Sequence, residues 1–457
     1  MGQIYDVERL VDEQRLGRFN LNLLIWSFLA MFADGFDISV LSFAVPALGR
    51  LWQLPPESFR IVLSASLFGI LFGALIFGYV GDRFGRRTAI VAGCVLYGLA
   101  TLAVTGAGNL QHVTWLRFVT GIGLGGLMPN TIALNSELAP RRWRATLIVL
   151  MFTGITLGSA TPSVVAAWLV PRFGWEILFL IGGAAPLVIA LGLHFALPES
   201  VKLLAMRPHR QAELVGIARR MRPDLNVRDD ARFEARQPAT AAGAGVRQIF
   251  SRGLGPITLL LWICFATALM ANFFLNSWLP LIFEQSGLTP ERAAIATGWY
   301  HVGATLGGLA VSVLLDRVGI IVIAVMFALA APLVAAIGWS GHSFGGLATL
   351  VALSGFCVVG AQFGNNASAG LLYPTAIRAQ GVGWALAIGR FGSIVGPLVG
   401  GTLIGMKLPL RQLFLAPAAP MFVGAAAATA LGWLCLRRFH GFKLDDTISP
   451  HVPGGPP

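Results

Sequence analysis

Two aspartates, Asp34 and Asp37, lie in the middle of a stretch from Leu21 to Gly49 that holds no other charged residue. An apolar stretch of this length can cross a bilayer as a helix, which needs about 20 residues. A carboxylate at the centre of such a helix costs roughly 2.5–3.5 kcal/mol on insertion scales. The two residues are three positions apart and share one helix face, which must therefore point to a polar interior. Paired acids in such a place can bind and release protons, so the spacing predicts a proton-binding site.

Arg117 is the candidate partner of these aspartates. Asp34 lies about 13 residues into an outward-running helix, about 20 Å from the inner edge of the membrane. Arg117 lies early in an inward-running segment, so all three charges fall in the outer half of the membrane. A guanidinium favours the charged carboxylate whereas burial disfavours it, so making and breaking the contact would bind and release a proton. A permanent structural ion pair is the alternative.

The composition predicts an all-α membrane protein. Of the 457 residues, 56% are hydrophobic and only 12% are charged, whereas soluble domains have about 25% charged residues. Twelve apolar segments are long enough to span a bilayer, and we number them spans 1 to 12. They cover residues 21–45, 60–81, 88–107, 113–136, 145–169, 176–197, 255–282, 293–315, 318–340, 345–371, 380–404 and 413–436.

The net charge of +12 follows the membrane topology. With the amino terminus inside, 25 of the 33 Lys and Arg fall in cytoplasmic segments and 6 in external ones, which is the positive-inside pattern. We therefore expect cytoplasmic termini, an inner-membrane location and no binding of nucleic acid. The segment before span 1 has no signal-peptide core or cleavage site, so span 1 should be retained. The four cysteines lie inside spans without paired spacing, which predicts neither disulfides nor a metal site.

The spans divide into two halves with one register. The longest polar interruption, 198–253, separates the predicted bundles 21–197 and 254–436, and short segments 1–20 and 437–457 flank them. One constant shift along the chain, which we call the repeat offset, superimposes matching residues in five spans. It takes Gly69 to Gly303, Gly73 to Gly307, Asp82-Arg83 to Asp316-Arg317, Gly85 to Gly319 and Gly158 to Gly392. This predicts two pseudo-symmetric six-helix bundles with a cavity between them. Chance recurrence of Gly and Pro in membrane helices is the alternative.

These motifs resemble the major facilitator superfamily along essentially the whole chain. The segment 78–87, GYVGDRFGRR, resembles the superfamily's loop between spans 2 and 3. Within the superfamily, the chain is most similar to the aromatic acid:proton symporter family. The matching segments are 34–37, 117–126, 373–375, 381–384 and 389–397. The resemblance implies import of benzoate or hydroxybenzoate acids with protons, and a transport role for both aspartates.

Arg390, near the middle of span 11, is the candidate residue for binding the carboxylate of an aromatic acid substrate. An arginine at that depth needs an anionic partner or water, and the nearest acids of the second half, Glu284, Glu291 and Asp316, lie towards the membrane edges. We expect Arg390 to bind the substrate carboxylate in a bidentate manner. A contact with backbone carbonyls is the alternative.

Further candidate substrate contacts lie in the middle of several spans. In span 8, Trp299 could stack on the ring, and His301 could bond a ring hydroxyl or titrate near neutral pH. Packing in the core or against lipid is the alternative, favoured for Tyr300. Amides concentrate on the helices that begin each three-helix unit, namely Asn130 in span 4, Asn272 and Asn276 in span 7, and Gln362 and Asn365 in span 10. These amides would either line the cavity or join helices to one another.

The loop after span 2 is predicted to form a cytoplasmic gate. Gly85 would make the tight turn, and Asp82 would be attracted to the positive amino-terminal end of span 11. The second copy of the motif lacks the basic pair, because Gly319 is followed by Ile320 and Ile321, and should contribute less. The predicted gate residues are Gly78, Asp82, Arg83, Gly85, Arg86, Arg87, Asp316 and Arg317.

The sequence therefore predicts a secondary transporter that imports an aromatic acid with protons by alternating access. It would use the proton gradient, with no cofactor, and its partners would be its substrate, protons and lipid, with no obligatory protein. One alternative is a proton-driven exporter of organic anions or drugs on the same fold. Another is a transporter that also acts as a chemotaxis sensor. An enzyme is disfavoured, because the sequence has no nucleophile–base pair, metal-ligand cluster or phosphate loop.

Overall fold

The protein is helical throughout most of its length, as a computed structural model shows. The structure describes residues 4–234, 246–251, 253–340, 343–373 and 377–439. In that part of the chain, ten helices are long and apolar enough to cross a membrane. The two other predicted spans are also helical: span 4 is divided into two helices, and span 9 is a shorter apolar helix. The twelve-helix membrane fold is therefore confirmed.

The first six spans are close to their predicted limits, except that span 1 continues through Pro46 to Trp52. They are the helices Arg18–Trp52, Arg60–Phe84, Arg86–Ala103, Leu110–Gly125 with Leu127–Leu138, Arg144–Trp168 and Glu176–Ala196. Three short helical segments extend or connect them, namely Pro56–Phe59, Val104–Gly106 and Val170–Phe173.

The last six spans are single helices. They are Gly255–Gln285, Pro290–Val318, Ile321–Ile337, Phe344–Leu372, Arg378–Gly405 and Leu410–Phe439. Pro374 and Thr375, which belong to one of the family-like motifs, lie outside the described residues.

The division of span 4 follows from its residues. Pro129 has no backbone N–H, and its ring clashes with the carbonyl of the residue four positions earlier, which interrupts a helix. The interruption falls at Gly126, between the two helices. A Cβ at Gly126 would lie only 1.9 Å from the Cβ of Phe77, so a glycine here also allows spans 2 and 4 to approach closely.

The segment between spans 6 and 7 is partly folded, which the sequence did not predict. It contains the helices Val201–Ala205, Pro208–Arg210, Gln211–Met221 and Arg247–Phe250. Its strand Arg232–Glu234 (β2) pairs in parallel with the amino-terminal strand Ile4–Asp6 (β1), which the helix Val7–Asp12 follows.

Ion pairs strengthen this association of the amino terminus with the central segment. Lys202 lies 3.8 Å from Glu8, and Arg222 lies 3.3 Å from Glu13 and 2.8 Å from Asp224. The hydrogen bond from Arg222 holds the pKa of Asp224 below its usual value. Because solvent screens the acidic partners of these pairs, the pairs position the segment more than they stabilise it.

Internal contacts divide the chain into two compact units. The first unit comprises residues 1–44 and 65–240, and the second comprises residues 45–64 and 241–457. The end of span 1 and the start of span 2 thus belong to the second unit. There, Arg50 lies 2.5 Å from Glu284, and the Ser64 hydroxyl donates a hydrogen bond to the Ile394 carbonyl at 3.1 Å.

Both units repeat the same close helix contacts. In the first unit, a Cβ at Gly69 would lie 2.1 Å from the carbonyl oxygen of Phe118. In the second unit, a Cβ at Gly303 would lie 1.8 Å from that of Ala352. The repeat offset, which takes Gly69 to Gly303, also takes Phe118 to Ala352.

A second contact in each unit has the same register. Gly158 of span 5 packs against the Phe32 carbonyl of span 1, where a Cβ would lie 2.0 Å away. Gly392 of span 11 packs in the same way against the Ala266 carbonyl of span 7, at 2.2 Å. Because the repeat offset also takes Phe32 to Ala266, the internal repeat extends to individual backbone contacts.

We expect Gly303→Val to destabilise the protein by about 1–3 kcal/mol, because the new side chain would overlap backbone that cannot move aside. The apparent melting temperature of the detergent-purified protein should fall, and Gly69→Val should act similarly. Gly370→Ala in span 10 is the control, since no described heavy atom lies within 4 Å of its Cβ position. Equal melting temperatures for Gly303→Val and Gly370→Ala would contradict the packing argument.

Candidate functional site

The centre of the first unit is a buried ion pair between span 1 and span 4. Arg117 Nη1 lies 2.9 Å from Asp37 Oδ2 and 3.0 Å from Oδ1. Its Nη2 donates a 3.0 Å hydrogen bond to the backbone carbonyl of Asp37. The side chains of Asp37 and Arg117 are 0% and 1% exposed. The predicted contact between the two residues is therefore present in the structure.

Two threonines complete the surroundings of Asp37. Thr101 in span 3 donates a 2.7 Å hydrogen bond to Asp37 Oδ1, and its oxygen lies 3.4 Å from that of Thr120 in span 4. A hydrogen bond to a carboxylate is stronger than one between neutral groups. Because a hydroxyl can also accept a hydrogen bond, Thr101 can pair with Asp37 in either of its protonation states.

A close contact between spans 1 and 5 fixes the position of the aspartates. A Cβ at Gly35 would lie 2.0 Å from the Ile155 carbonyl oxygen. One turn further along span 5, the Ser159 hydroxyl donates a 3.0 Å hydrogen bond to the Gly35 carbonyl. Gly35, between Asp34 and Asp37, thus holds the helix against span 5, while Asp37 lies towards spans 3 and 4.

Asp34 is buried as well, with 5% of its surface exposed. Its carboxylate lies near enough to Cys94 and Tyr97 of span 3 to interact with them electrostatically. Both acids predicted as a proton-binding pair therefore lie in the interior of the first unit, with span 3 as a shared neighbour.

The second unit has no such charge pair at the equivalent positions. The repeat offset takes Asp37 to Ala271, Arg117 to Val351 and Thr101 to Ala335. At these equivalent positions, the ion pair of Asp37 and Arg117 is thus found in only one of two similarly packed units.

A neutral polar cluster occupies the second unit instead. The Tyr300 hydroxyl of span 8 donates a 2.8 Å hydrogen bond to Asn272 Oδ1 of span 7. Asn272 Nδ2 in turn donates a 3.2 Å hydrogen bond to Gln362 Oε1 of span 10. The structure thus joins two predicted amides directly, and it adds to them a tyrosine that the sequence analysis had assigned to packing.

His301 adjoins this cluster. It is 5% exposed, and its ring contacts that of Tyr300 edge-on, with 5.5 Å between the centroids. Its Nε2 has no hydrogen-bond partner among the described residues.

Two of the other predicted amides donate hydrogen bonds to backbone carbonyls. Asn365 Nδ2 donates to the Cys264 carbonyl of span 7 at 3.1 Å, and Asn276 is buried in span 7. Asn130 donates to the Phe77 and Gly126 carbonyls at 3.0 and 2.7 Å. Asn130 therefore joins spans 2 and 4, which is the alternative that the sequence left open for it.

Trp299 does not lie with His301, and this placement removes it from the candidate ring-binding residues. It is 45% exposed and shares one face of span 8 with five other exposed apolar residues, namely Ile295, Val302, Leu306, Leu309 and Val313. These residues recur at intervals of three and four, which is the spacing of a single helix face. An exposed face that is apolar along its whole length is the lipid-facing side of a membrane helix.

Arg390 is half-buried in span 11, and its backbone carbonyl accepts a 2.6 Å hydrogen bond from the Ser393 hydroxyl. Its role in binding a carboxylate stays a prediction.

The loop after span 2 forms a compact network within the first unit. Asp82 lies 2.5 Å from Arg86, which also lies 4.0 Å from Glu137 and donates a 3.2 Å hydrogen bond to Asn130. Gly85 has a φ of 124°, a value that favours glycine. The role of Asp82 towards span 11 remains a prediction.

Glu199, after span 6, is the main member of this network that the sequence analysis missed. It is 1% exposed, and its Oε1 accepts hydrogen bonds from the backbone N–H groups of Arg87 and Ser200, at 3.2 and 2.9 Å. A carboxylate at the start of span 3 is favoured by the helix dipole. Arg83, also predicted, stacks on Tyr79 at 5.8 Å.

The remaining predicted gate residues are less constrained. Gly78 has open space around its Cβ position among the described residues, so packing does not require a glycine there. Arg317 is exposed near the end of span 8, before the turn at Gly319 with a φ of 79°. The side chain of Asp316 lies outside the described part of the structure.

The family model of the Major Facilitator Superfamily matches residues 27–336 and 261–439. The chain belongs to the major facilitator superfamily. Solved structures of the same fold include a bacterial homologue of the human lysosomal transporter Spinster, with a TM-score of 0.70 and 16% identity over 93% of this chain and 99% of that one. A D-xylose–proton symporter has a TM-score of 0.66 and 17% identity over 90% and 97% of the two chains.

Curated relatives within the superfamily are more similar in sequence. The 4-hydroxybenzoate transporter PcaK of Pseudomonas putida is 36% identical over 94% of this chain and 95% of its own. PcaK of Pseudomonas aeruginosa is 37% identical over 93% and 96%. The gallate transporter of Pseudomonas putida is 36% identical over 94% and 96%. This member of the superfamily thus matches each of them along almost its full length.

A double-mutant cycle should reveal strong coupling between Asp37 and Arg117. We expect Arg117→Leu alone to lower the free energy of unfolding by about 3–5 kcal/mol, because it leaves a buried charge without its partner. Adding Asp37→Asn to Arg117→Leu should restore part of that loss. Denaturant or thermal unfolding of the purified variants would measure each term. Additive losses would mean that the two charges do not stabilise each other.

Glu199→Ala should destabilise the turn before span 3 by about 1–3 kcal/mol, since a buried N–H group and a partly buried one would lose their acceptor. Hydrogen–deuterium exchange should rise at residues 85–88. The control is Glu213→Ala, which removes only a surface pair with Arg210. Unchanged exchange in Glu199→Ala would show that another group caps this helix.

Proposed function

We propose that this protein imports an aromatic carboxylic acid of the benzoate or hydroxybenzoate class together with protons. Support for the substrate class comes from relatives at 36–37% identity, which are named transporters of 4-hydroxybenzoate and gallate and match nearly the whole chain. Support for proton coupling comes from the buried Asp37–Arg117 pair, which is the single structural observation that carries the proposal.

Asp37 is the proposed proton-binding residue. When it is ionised, Arg117 neutralises its charge through the two contacts to the carboxylate and the one to the backbone. A proton on the carboxyl group would remove the attraction and leave the arginine without its anion, a costly state for a buried cation. Protonation would therefore change which conformation of the surrounding helices is the more stable.

The threonines make this exchange chemically feasible in a buried site. Thr101 can donate to the ionised carboxylate, and its hydroxyl can rotate to accept from the protonated one. After that rotation, the Thr101 hydroxyl can donate a hydrogen bond to the Thr120 oxygen, which lies 3.4 Å away. The carboxyl group would thus keep a hydrogen-bond partner in both states, so proton binding would not leave a buried polar group unsatisfied.

Transport by alternating access follows as part of the same proposal. A carboxyl group that binds a proton from the outer side and releases it to the inner side would tie each cycle to the proton gradient, with no cofactor required. The location in the inner membrane, with both termini in the cytoplasm, rests on the distribution of Lys and Arg.

Asp37→Asn should abolish gradient-driven accumulation, because an amide cannot exchange the coupling proton. The measurement is uptake of labelled 4-hydroxybenzoate into proteoliposomes with an acidic exterior, and we expect a loss of at least about 10-fold. Exchange of labelled for unlabelled substrate without a gradient should persist. Asp224→Asn, which changes an exposed acid of the central segment, is the matched control and should accumulate substrate normally.

Two outcomes would contradict the proposal in different ways. Full accumulation by Asp37→Asn would reject Asp37 as the coupling residue. Substrate movement only in the direction opposite to the proton flow would favour a proton-driven exporter of organic anions.

A protonophore should abolish accumulation by the unmodified protein.

A further inference from the structure

We infer that the neutral cluster of Asn272, Tyr300 and Gln362, together with His301, binds the phenolic hydroxyl of a hydroxylated aromatic acid. This inference rests on the proposed function, and it names the ring substituent that the carrier selects. The cluster connects spans 7, 8 and 10 through the 2.8 Å bond from Tyr300 to Asn272 and the 3.2 Å bond from Asn272 to Gln362.

The hydrogen-bonding capacity of the cluster is only partly used. Each side-chain amide has two N–H donors. Among the described residues, Asn272 spends one of its donors on Gln362, and the donors of Gln362 make no hydrogen bond. Both side chains are half-buried. Donors therefore remain available on groups that a small molecule could reach.

His301 adds a buried nitrogen without a partner. Its Nε2 makes no hydrogen bond among the described residues, although the residue is only 5% exposed. A polar atom left unsatisfied in the interior is unfavourable, so a group that is absent from the protein should pair with it. His301 adjoins the cluster through its edge-on contact with the ring of Tyr300.

Comparison of the two halves indicates that helix packing does not need this cluster. The equivalent positions in the first half are Ile38, Ser66, Leu67 and Met128, none of which could form it. The glycine contacts between spans 2 and 4 nevertheless match those between spans 8 and 10. The close glycine contacts therefore do not depend on these polar residues.

The chemistry of the cluster fits a hydroxyl group better than a carboxylate. None of its members carries a fixed charge, whereas a buried carboxylate needs a cation such as an arginine. A phenolic hydroxyl donates one hydrogen bond and accepts others. It could donate to the free nitrogen of His301 and accept from an amide N–H. A site that binds a hydroxyl in this way discriminates strongly against an analogue without one, because its own polar groups are then left unpaired.

The test compares binding of 4-hydroxybenzoate and benzoate to purified protein. Tyr300→Phe removes one oxygen and keeps the ring, and His301→Leu removes the imidazole. We expect each variant to bind 4-hydroxybenzoate about 10-fold more weakly, whereas its affinity for benzoate should change less than about twofold. Tyr373→Phe is the matched control, because it removes another buried tyrosine hydroxyl, which bonds Thr258 at 3.2 Å outside the cluster.

The outcomes separate this inference from the function on which it rests. If the unmodified protein binds and transports neither acid, the proposed function fails. If it transports both and neither His301→Leu nor Tyr300→Phe changes the ratio of their affinities, the hydroxyl site is wrong and a water molecule satisfies His301 instead. An equal loss of affinity for both acids would also contradict the hydroxyl site, since that would indicate a general packing role for the cluster. Melting temperatures would identify any variant that fails to fold, and the conservative Tyr300→Phe keeps the test decisive.

Discussion

A single ion pair, removed almost completely from solvent, governs the organisation of the first unit. Asp37 and Arg117 come from different spans, and the free-energy cost of burying their charges is offset only while they remain in contact. The surrounding residues serve that contact: Gly35 lets span 1 approach span 5, and Thr101 supplies a hydrogen bond from span 3. The same property makes the pair sensitive to protonation, because the loss of one charge leaves the other uncompensated. Stability and the proposed coupling thus depend on one interaction.

The two halves show how a repeated backbone can carry different chemistry. Glycine contacts recur at the repeat offset, down to the carbonyl oxygen that each glycine touches. The side chains in the unit interiors have diverged, with an acid–arginine pair in one and neutral amides with a tyrosine in the other. Close packing at the helix crossings tolerates little change, whereas the interior positions between crossings can vary. The proposed division of labour, with proton binding in one half and selection of the ring hydroxyl in the other, places both functions at these variable interior positions.

Features whose misplacement would cost much free energy were predictable from the sequence. Asp37 and Arg117 were identified because a charge within an apolar span needs a partner, and the helical repeat emerged because glycines fix close contacts. The direction of Trp299 was not predictable, because span 8 is apolar on several sides and its spacing does not distinguish lipid from interior. Tyr300 was assigned to packing for the same reason. Glu199 gave no signal, since a single acid at the end of a span usually faces water, and only the fold brings it to the start of span 3.

The parallel pairing of β1 with β2 has a consequence for biosynthesis. Residues 4–6 are made before the first span, but their strand partner at 232–234 is made only after all six helices of the first half. Strand β1 must therefore stay available, unpaired, throughout the insertion of those helices. A bulky fusion placed directly before residue 4 would obstruct this late step rather than membrane insertion itself, so its damage would appear as poor maturation of an already inserted chain.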